Sequence, residues 1–308
     1  MPDPHTVTVE IDGRTLKLTN LDKVLYPGSN TTKAEVAQYY AAIAPVLLPQ
    51  LQNRPLTRLR FPHGTAGESF FEKNTPKGAP GWLRRVTLVS PHSRRADELV
   101  TYPLVDDVAA LTWLANLAAL ELHVPQWRVT GDDESGGGSP QAPDRLVVDL
   151  DPGAPAGLGE CAQVALLVRE ALLREGISRI VPVTSGSKGL QLYGALDGSR
   201  TSAEVRELAK TIAGELSTQR PELVLATMTR ARRTGKVLFD WSQNTHAKTT
   251  ICPYSLRGKR NEPFVAAPRS WEEIEAGAVG AEPLTQLAPF EVLDRVESDG
   301  DLMTALLD

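Results

Sequence analysis

Between Arg145 and Gln243 the chain passes through six segments whose apolar spacing alternates in a fixed order, and that order restricts the fold more than any other feature. "RLVVDLD" (Arg145–Asp151) is dense in aliphatic and β-branched residues and reads as a strand. "GECAQVALLVREALLREG" has helical spacing and closes at Gly176. "RIVPVTS" and "LQLYGAL" are strands joined through "GSKG"; "SAEVRELAKTIAGELSTQ" is a second helix, and "KVLFDWSQ" a final strand. The order β-α-β-β-α-β is the split arrangement of ferredoxin-like (RRM-like) sheets, which predicts an α+β fold with the first and last strands side by side.

In a strand the side-chain period is two, so Asp149 and Asp151 face one side of the sheet and Leu150 the other. Neighbouring like charges are tolerated when water covers them, when one holds a proton, or when they share a cation. Taken alone, Asp-x-Asp reads as polar punctuation before an Asp-Pro-Gly turn. The last strand, however, carries Asp240 in "LFDW", and the topology predicts that it reaches the pair. Three carboxylates on one face form a hard oxygen site. Such a site suits Mn²⁺ or Mg²⁺ better than zinc, for which Cys and His ligands are lacking. Two such ions about 4 Å apart are the usual device for in-line displacement at phosphorus.

Upstream, "VTVEIDGRTLKLTN" reads as a hairpin turning at Asp12-Gly13, and "TKAEVAQYYAAIAPVLLPQL" as a helix opened by a Thr32/Glu35 capping box. Short strands follow in "LTRLRF", "SFFEK", "LRRVTLV" and "ELVTYPLV", then a helix in "DVAALTWLANLAAL" and a strand in "LELHVPQWRV". "TGDDESGGGSPQAPD" (Thr130–Asp144) is the most loop-like stretch and reads as a flexible connection. The expected organisation is one domain over residues 1–308, with an N-terminal lobe to about residue 130, a linker over about 131–143 and a catalytic lobe over about 144–308.

With 308 residues, 41% of them hydrophobic, the chain can bury a sizeable core. It has no apolar run near the roughly 20 residues of a membrane span, and "MPDPHTVTVE" lacks a signal-sequence pattern. Cys161 and Cys252 lack metal-ligand spacing, which suggests a reduced cytoplasmic setting. The net charge of −5 argues against a nucleic-acid partner, but "TRARRTGK" (Thr229–Lys236) and "LRGKR" (Leu256–Arg260) are locally basic.

Several other residues have two readings each. "TSGSKG" (Thr184–Gly189) is either a hairpin turn or a loop whose N–H groups and Lys188 seat phosphates; its spacing is not that of a P-loop. His123 among strand residues is structural or catalytic. Phe70 and Phe71 must face opposite ways if extended, one toward the core and the other free to stack on a base. Lys23 and Lys33, around the start of the first helix, are solvated or hold an anion.

"LTNLDKVLYP", "FFEK", "ALELHVPQW", "VVDLDPG", "TSGSKGLQLY", "DWSQN" and "KTTICPYSLRG" occur in that order. Together they closely resemble the polymerase domain of the bacterial end-joining ligase, ligase D, of the archaeo-eukaryotic primase superfamily. The resemblance runs from about Leu18 through the "PYSLRG" segment and implies a primase-polymerase architecture. It implies a template-directed nucleotidyltransferase that uses Mn²⁺ or Mg²⁺, often prefers ribonucleotides, and extends 3′ ends at short gaps and broken ends of DNA. On that resemblance Asp149, Asp151 and Asp240 correspond to the metal triad. His123, Ser185, Lys188, Gln243 and Arg257 lie near the incoming nucleoside triphosphate (NTP or dNTP). Phe70 and Phe71 fall against nucleotide and template. Asn20, Lys23 and Lys33 form a pocket for the 5′ phosphate of the downstream strand, and Arg233 belongs to a basic loop that positions the primer end or ions. Gln191 stands where many relatives have His, so it can donate a hydrogen bond but carries no charge.

The length leaves no room for a ligase or nuclease module, so the chain reads as a stand-alone protein or an excised domain. Expected partners are gapped or broken DNA with a 5′ phosphate, Ku and a separate DNA ligase, at the nucleoid, in end joining or gap-filling excision repair. Two other readings compete: an Asp-x-Asp nucleotide-sugar glycosyltransferase, and a non-catalytic nucleic-acid-binding protein.

Overall fold

Asp12 and Gly13 both adopt positive φ, 51° and 70°, as a tight hairpin turn demands. They join β1 (Thr6–Ile11) to β2 (Arg14–Thr19) as expected. The structure, a computed structural model, describes residues 6–89, 98–135, 137–227 and 233–307. Two short paired strands, β3 (Val24–Tyr26) and β4 (Thr31–Thr32), lead into α1 (Lys33–Leu51). The capping box fixes its start: the Thr32 hydroxyl accepts from the Glu35 N–H and the Glu35 carboxylate from the Thr32 N–H.

Next come β5 (Thr57–Arg60), β6 (Phe70–Glu72), β7 (Arg85–Val89), β8 (Leu99–Pro103), α2 (Val108–Asn116) and β9 (Ala119–Val124). β7 pairs with β8. The run read as one strand, "LELHVPQWRV", breaks at Pro125 into β9 and β10 (Trp127–Thr130), which belong to different sheets. β10 pairs with β11 (Ser139–Pro143). The stretch read as a flexible linker is therefore partly a strand. Ahead of it, the Asp132 carboxylate accepts from the Ser135 N–H and from Arg84 Nε. Local pairing and side-chain caps overrode a composition that favours loop.

The six-segment unit forms as its periodicity predicts: β12 (Arg145–Pro152), α3 (Leu158–Arg174), β13 (Ile180–Ser185), β14 (Leu190–Ala195), α4 (Ser202–Gln219), then, beyond a short β15 (Val224–Leu225), β16 (Val237–Asp240). β17 (Thr250–Ile251), β18 (Leu256–Arg257), β19 (Phe264–Pro268), α5 (Trp271–Val279) and α6 (Pro289–Asp299) complete the chain. Seven strands order as β15-β16-β12-β14-β13-β19-β18, so the first and last strands of the split motif are neighbours.

β12 alternates as its sequence demands. Leu146, Val148 and Leu150 pack with Phe239 beneath α3 and α4, against Cys161, Val164, Val168 and Ile212. Each such buried side chain contributes roughly 1.5–3 kcal/mol. Val147 faces the other way, into a core it shares with Tyr40, Leu47, Leu122, Tyr193 and Ile251. That core crosses the expected lobe boundary. So does β17, which adds to a four-stranded sheet ordered β17-β9-β5-β6. Among the described residues no helix is long and apolar enough to cross a membrane.

Candidate active site

The antiparallel register places Asp149 directly opposite Asp240, with Asp151 two residues along the same face. On its other side Asp149 pairs with Gln191, whose Nε2 donates to Asp149 Oδ1 at 3.1 Å. The Gln191 carbonyl accepts from the buried Tyr193 hydroxyl at 3.0 Å, so the amide is held in one orientation. Burial pushes the Asp149 carboxyl well above the usual carboxylate range and Asp151 and Asp240 add to it, while Gln191 and Arg257 work the other way. A carboxyl crowded by two acids on a hard-oxygen face, with both Asp149 and Asp151 lining a cleft, suits a divalent cation.

Asp240 itself is engaged elsewhere. At the end of β16 it caps the 3-10 turn Trp241–Asn244: Oδ1 accepts from the Ser242 N–H and hydroxyl, and Oδ2 from Gln243 Nε2 at 2.8 Å. Among the described residues no three carboxylate, imidazole or thiol groups lie together closely enough to hold one ion. The topology thus brings Asp240 to the predicted strand and register, on the same sheet face as Asp149, with its carboxylate bonded to Ser242 and Gln243 while Asp149 and Asp151 line the cleft. The cause is local: an Asp followed two residues later by Ser at a turn bonds its own backbone.

The cleft, about 290 Å³, has Asp149 and Asp151 on one side and Lys188, Arg257 and Lys259 among its other walls, with His123, Ser185, Gln191 and Gln243 between. All the predicted nucleotide-site residues except the two phenylalanines line it. The "TSGSKG" loop works differently from the expectation. Its N–H groups do not converge on an open seat: those of Ser187 and Gly189 donate to Ser185 Oγ, and that of Gly186 to Gln286 Oε1 at 2.6 Å. The glycines serve close packing instead. A Cβ on Gly189 would lie 2.3 Å from the Leu150 carbonyl oxygen. The loop's contribution to an anion is the Lys188 charge.

His123 Nε2 lies 2.8 Å from Glu121 Oε2, and its ring stands edge-on to Phe71 with centroids 6.5 Å apart. Arg257 also reaches Glu121 Oε2, at 3.4 Å, and the Gly258 N–H donates to Oε1 at 2.9 Å. Burial pushes Glu121 up, but the His123 hydrogen bond, the Arg257 and His123 charges and the Gly258 N–H outweigh it and hold the carboxyl at about 2.

Phe70 and Phe71 do face opposite ways, but neither enters the core: they are 41% and 57% exposed. β6 is the last strand of its sheet, and there both rings stand partly in solvent. Phe71 sits opposite Leu59 and Phe70 opposite Arg60. Asn20, at φ 50°, accepts the Lys23 N–H through its carbonyl, and the Lys23 carbonyl accepts the Lys33 N–H at 2.8 Å, which gathers the three predicted phosphate residues. Burial, then the charges of Lys23 and Arg60, lower the Lys33 ammonium to about 8. Of "TRARRTGK", residues 229–232 lie outside the described residues. Arg233 does not line the cleft. Its turn packs on Gly153, where a Cβ would meet the Arg233 carbonyl oxygen at 2.0 Å. Sequence reasoning missed Glu121, Arg60 and Gln286, and flagged Lys259 only as part of the basic run "LRGKR"; of the three missed, Glu121 carried a local signal, its place two residues before His123 on the same strand face.

A protein-family model described as "LigD, primase-polymerase domain" matches residues 32–303. The chain is 47% identical over 289 residues to the multifunctional non-homologous end joining DNA repair protein LigD of Mycobacterium tuberculosis, covering 94% of this chain and 36% of that protein. It is 33% identical over 286 residues to the bifunctional non-homologous end joining protein LigD of Bacillus subtilis, covering 92% and 43%. The chain thus spans well under half the length of these relatives. The polymerase domain from Mycobacterium tuberculosis ligase D, solved in complex with DNA, superposes with a TM-score of 0.87 at 46% identity, covering 95% of this chain and 98% of that one.

Proposed function

The chain belongs to the LigD primase-polymerase domain family, and from that premise we propose that it is a template-directed nucleotidyltransferase that extends DNA 3′ ends across short gaps and broken ends bearing a 5′ phosphate. The observation that carries this reading is the cleft in which Asp149 and Asp151 face Lys188, Arg257 and Lys259. Carboxylates and cationic side chains lining one cleft suit a metal-bound polyphosphate such as a nucleoside triphosphate.

Asp149 and Asp151 would hold Mg²⁺ or Mn²⁺, with Asp240 the third candidate ligand; when bound, such ions neutralise triphosphate charge and acidify the attacking 3′ hydroxyl. The residues of the chain supply placement. Lys188 and Arg257 offer charge to the phosphates, and Gln191 holds Asp149 in one rotamer. Catalysis of this kind is positioning plus charge neutralisation, with no covalent enzyme intermediate.

β5 supports the link to a 5′ phosphate. Thr57 pairs with His123 at the cleft, and Arg60, whose charge reaches Lys33, lies three residues further on. That is roughly 10 Å of strand, the span of about three stacked bases. Lys23 and Lys33 would then anchor the downstream end a short gap away from the nucleotide, with Phe70 and Phe71 stacking on bases between. Ribonucleotide preference and service in end joining beside Ku and a DNA ligase, or in gap-filling excision repair, complete the proposal.

Primer extension on gapped duplex with Mn²⁺ tests it, comparing ribo- with deoxynucleotides and a phosphorylated with an unphosphorylated downstream strand. The expected result is incorporation biased to ribonucleotides, with tighter binding of the phosphorylated gap. Equal binding with and without the phosphate removes the role given to Lys23 and Lys33; no incorporation removes the reading.

A further inference from the structure

One of the cleft's basic groups, Arg257, and its histidine both bond one buried acid that does not line the cleft. Glu121 is 1% exposed and is not among the lining residues. One of its oxygens takes His123 Nε2 and Arg257, and the other takes the Gly258 N–H. We propose that Glu121 is a positioning residue for the incoming nucleotide, fixing His123 and the Arg257–Lys259 turn in the arrangement that receives the triphosphate. This inference rests on the polymerase reading above.

The turn is closely packed where Glu121 meets it. A Cβ on Gly258 would lie 2.2 Å from the Phe61 ring, so the backbone is pinched between Phe61 and Glu121. Arg257 and Lys259, on either side of that point, both line the cleft. The Arg257 carbonyl accepts the Tyr26 hydroxyl at 2.9 Å, which leaves the guanidinium to be aimed by Glu121. Committing His123 Nε2–H to the carboxylate leaves Nδ1 as the ring nitrogen for a ligand, an acceptor for a nucleotide hydroxyl in the neutral ring.

Stability alone does not account for an acid here. Desolvating a carboxylate costs several kcal/mol, and buried ion pairs are often replaced by apolar groups with no loss. What a fixed carboxylate supplies is direction: two donors aimed from one oxygen, and a turn held by the other. A triphosphate needs donors at set spacing before it arrives, and their preorganisation lowers the cost of binding it.

Glu121→Gln keeps the shape and one acceptor but turns an NH₂ toward the donors of His123 and Arg257. On gapped duplex, the nucleotide KM should rise about tenfold or more, with kcat within about threefold. The gapped-duplex Kd should stay within about twofold, because the phosphate pocket is untouched. Glu121→Asp, with its charge kept and its reach shortened, should fall between, and it decides the matter if the Gln variant does not fold. Because Glu121 also acts through His123 and the Gly258 N–H, Glu121→Gln combined with Arg257→Gln should be worse than Arg257→Gln alone but fall short of the product of the two single effects. A wild-type nucleotide KM in the folded variant, additive effects in the double variant, or a DNA Kd rising in step with KM would overturn the proposal. Equilibrium titration with a fluorescent ribonucleoside triphosphate reads the same contrast without turnover. A wild-type protein that fails to extend primers therefore overturns the polymerase reading, while the titration still decides the role of Glu121.

Discussion

The seven-stranded sheet is roofed on one face by α3 and α4, and Leu150 and Phe239 beneath them are wholly buried. The four-stranded sheet instead stops at β6, where two adjacent phenylalanines stand in solvent. One sheet holds its acids on a backbone that cannot shift without disturbing a packed layer. The other carries exposed aromatic rings at its edge strand, with Lys33 and Arg60 close enough for their charges to interact. On the proposed function, chemistry that tolerates little misplacement would sit on the rigid sheet, and recognition of a long flexible ligand at the open edge of the other.

The sharpest test of that division is Asp149→Ala, which should lower extension by roughly a thousandfold or more, several kcal/mol of barrier. Gapped-DNA affinity should be unchanged, because the recognition sheet is intact. A parallel loss of DNA binding would break the comparison. Next in size is a pair of phenylalanines. Phe239→Ala should cost about 3–5 kcal/mol of unfolding free energy, read by denaturant titration. Phe71→Ala should cost under about 0.5 kcal/mol of stability but weaken template binding by about 1–3 kcal/mol, the value of one stacked base.

Lys33→Ala should then remove roughly tenfold of the preference for a phosphorylated gap, one charge-assisted contact. The smallest effect is the pH dependence of that preference. With its ammonium lowered to about 8, Lys33 is charged below that value and loses its proton above it. The advantage of the phosphorylated strand should therefore decline several-fold between about pH 7 and pH 9, and a binding isotherm series should show it. The phosphate is already doubly charged over that range and does not confound the change. A flat profile would move the anchoring charge to Lys23 or Arg60.

The split motif was legible because each of its segments carries its own signal: β-branched runs, helical apolar spacing, the Gly176 stop. The neighbourhood of Asp149 and Asp240 followed from topology alone. Three kinds of information were not written locally. β17 joins a strand more than a hundred residues upstream, and two residues leave no periodicity to read. β11 hides in a Gly- and Ser-rich stretch because pairing with β10, not propensity, makes it a strand. Side-chain engagement was also invisible: that Ser185 consumes the loop N–H groups, or that Ser242 and Gln243 draw in the Asp240 carboxylate, depends on rotamers that spacing does not encode. Glu121 looked like strand filler because its partners His123 and Arg257 are 134 positions apart in the chain while only one lies beside it.

The bond from Gly186 to Gln286, answered by Gln286 Nε2 donating to the Gly189 carbonyl at 3.1 Å, ties the lysine-bearing hairpin to the far C-terminal part of the protein. A shortened version ending after β19 would keep every acid and base that lines the cleft and still lose the brace on Lys188. Trimming for crystallisation or fusion to another module should therefore spare Gln286 and the buried Val292 and Met303 beyond it, and a defect in nucleotide handling after deeper surgery would be mechanical in origin rather than chemical.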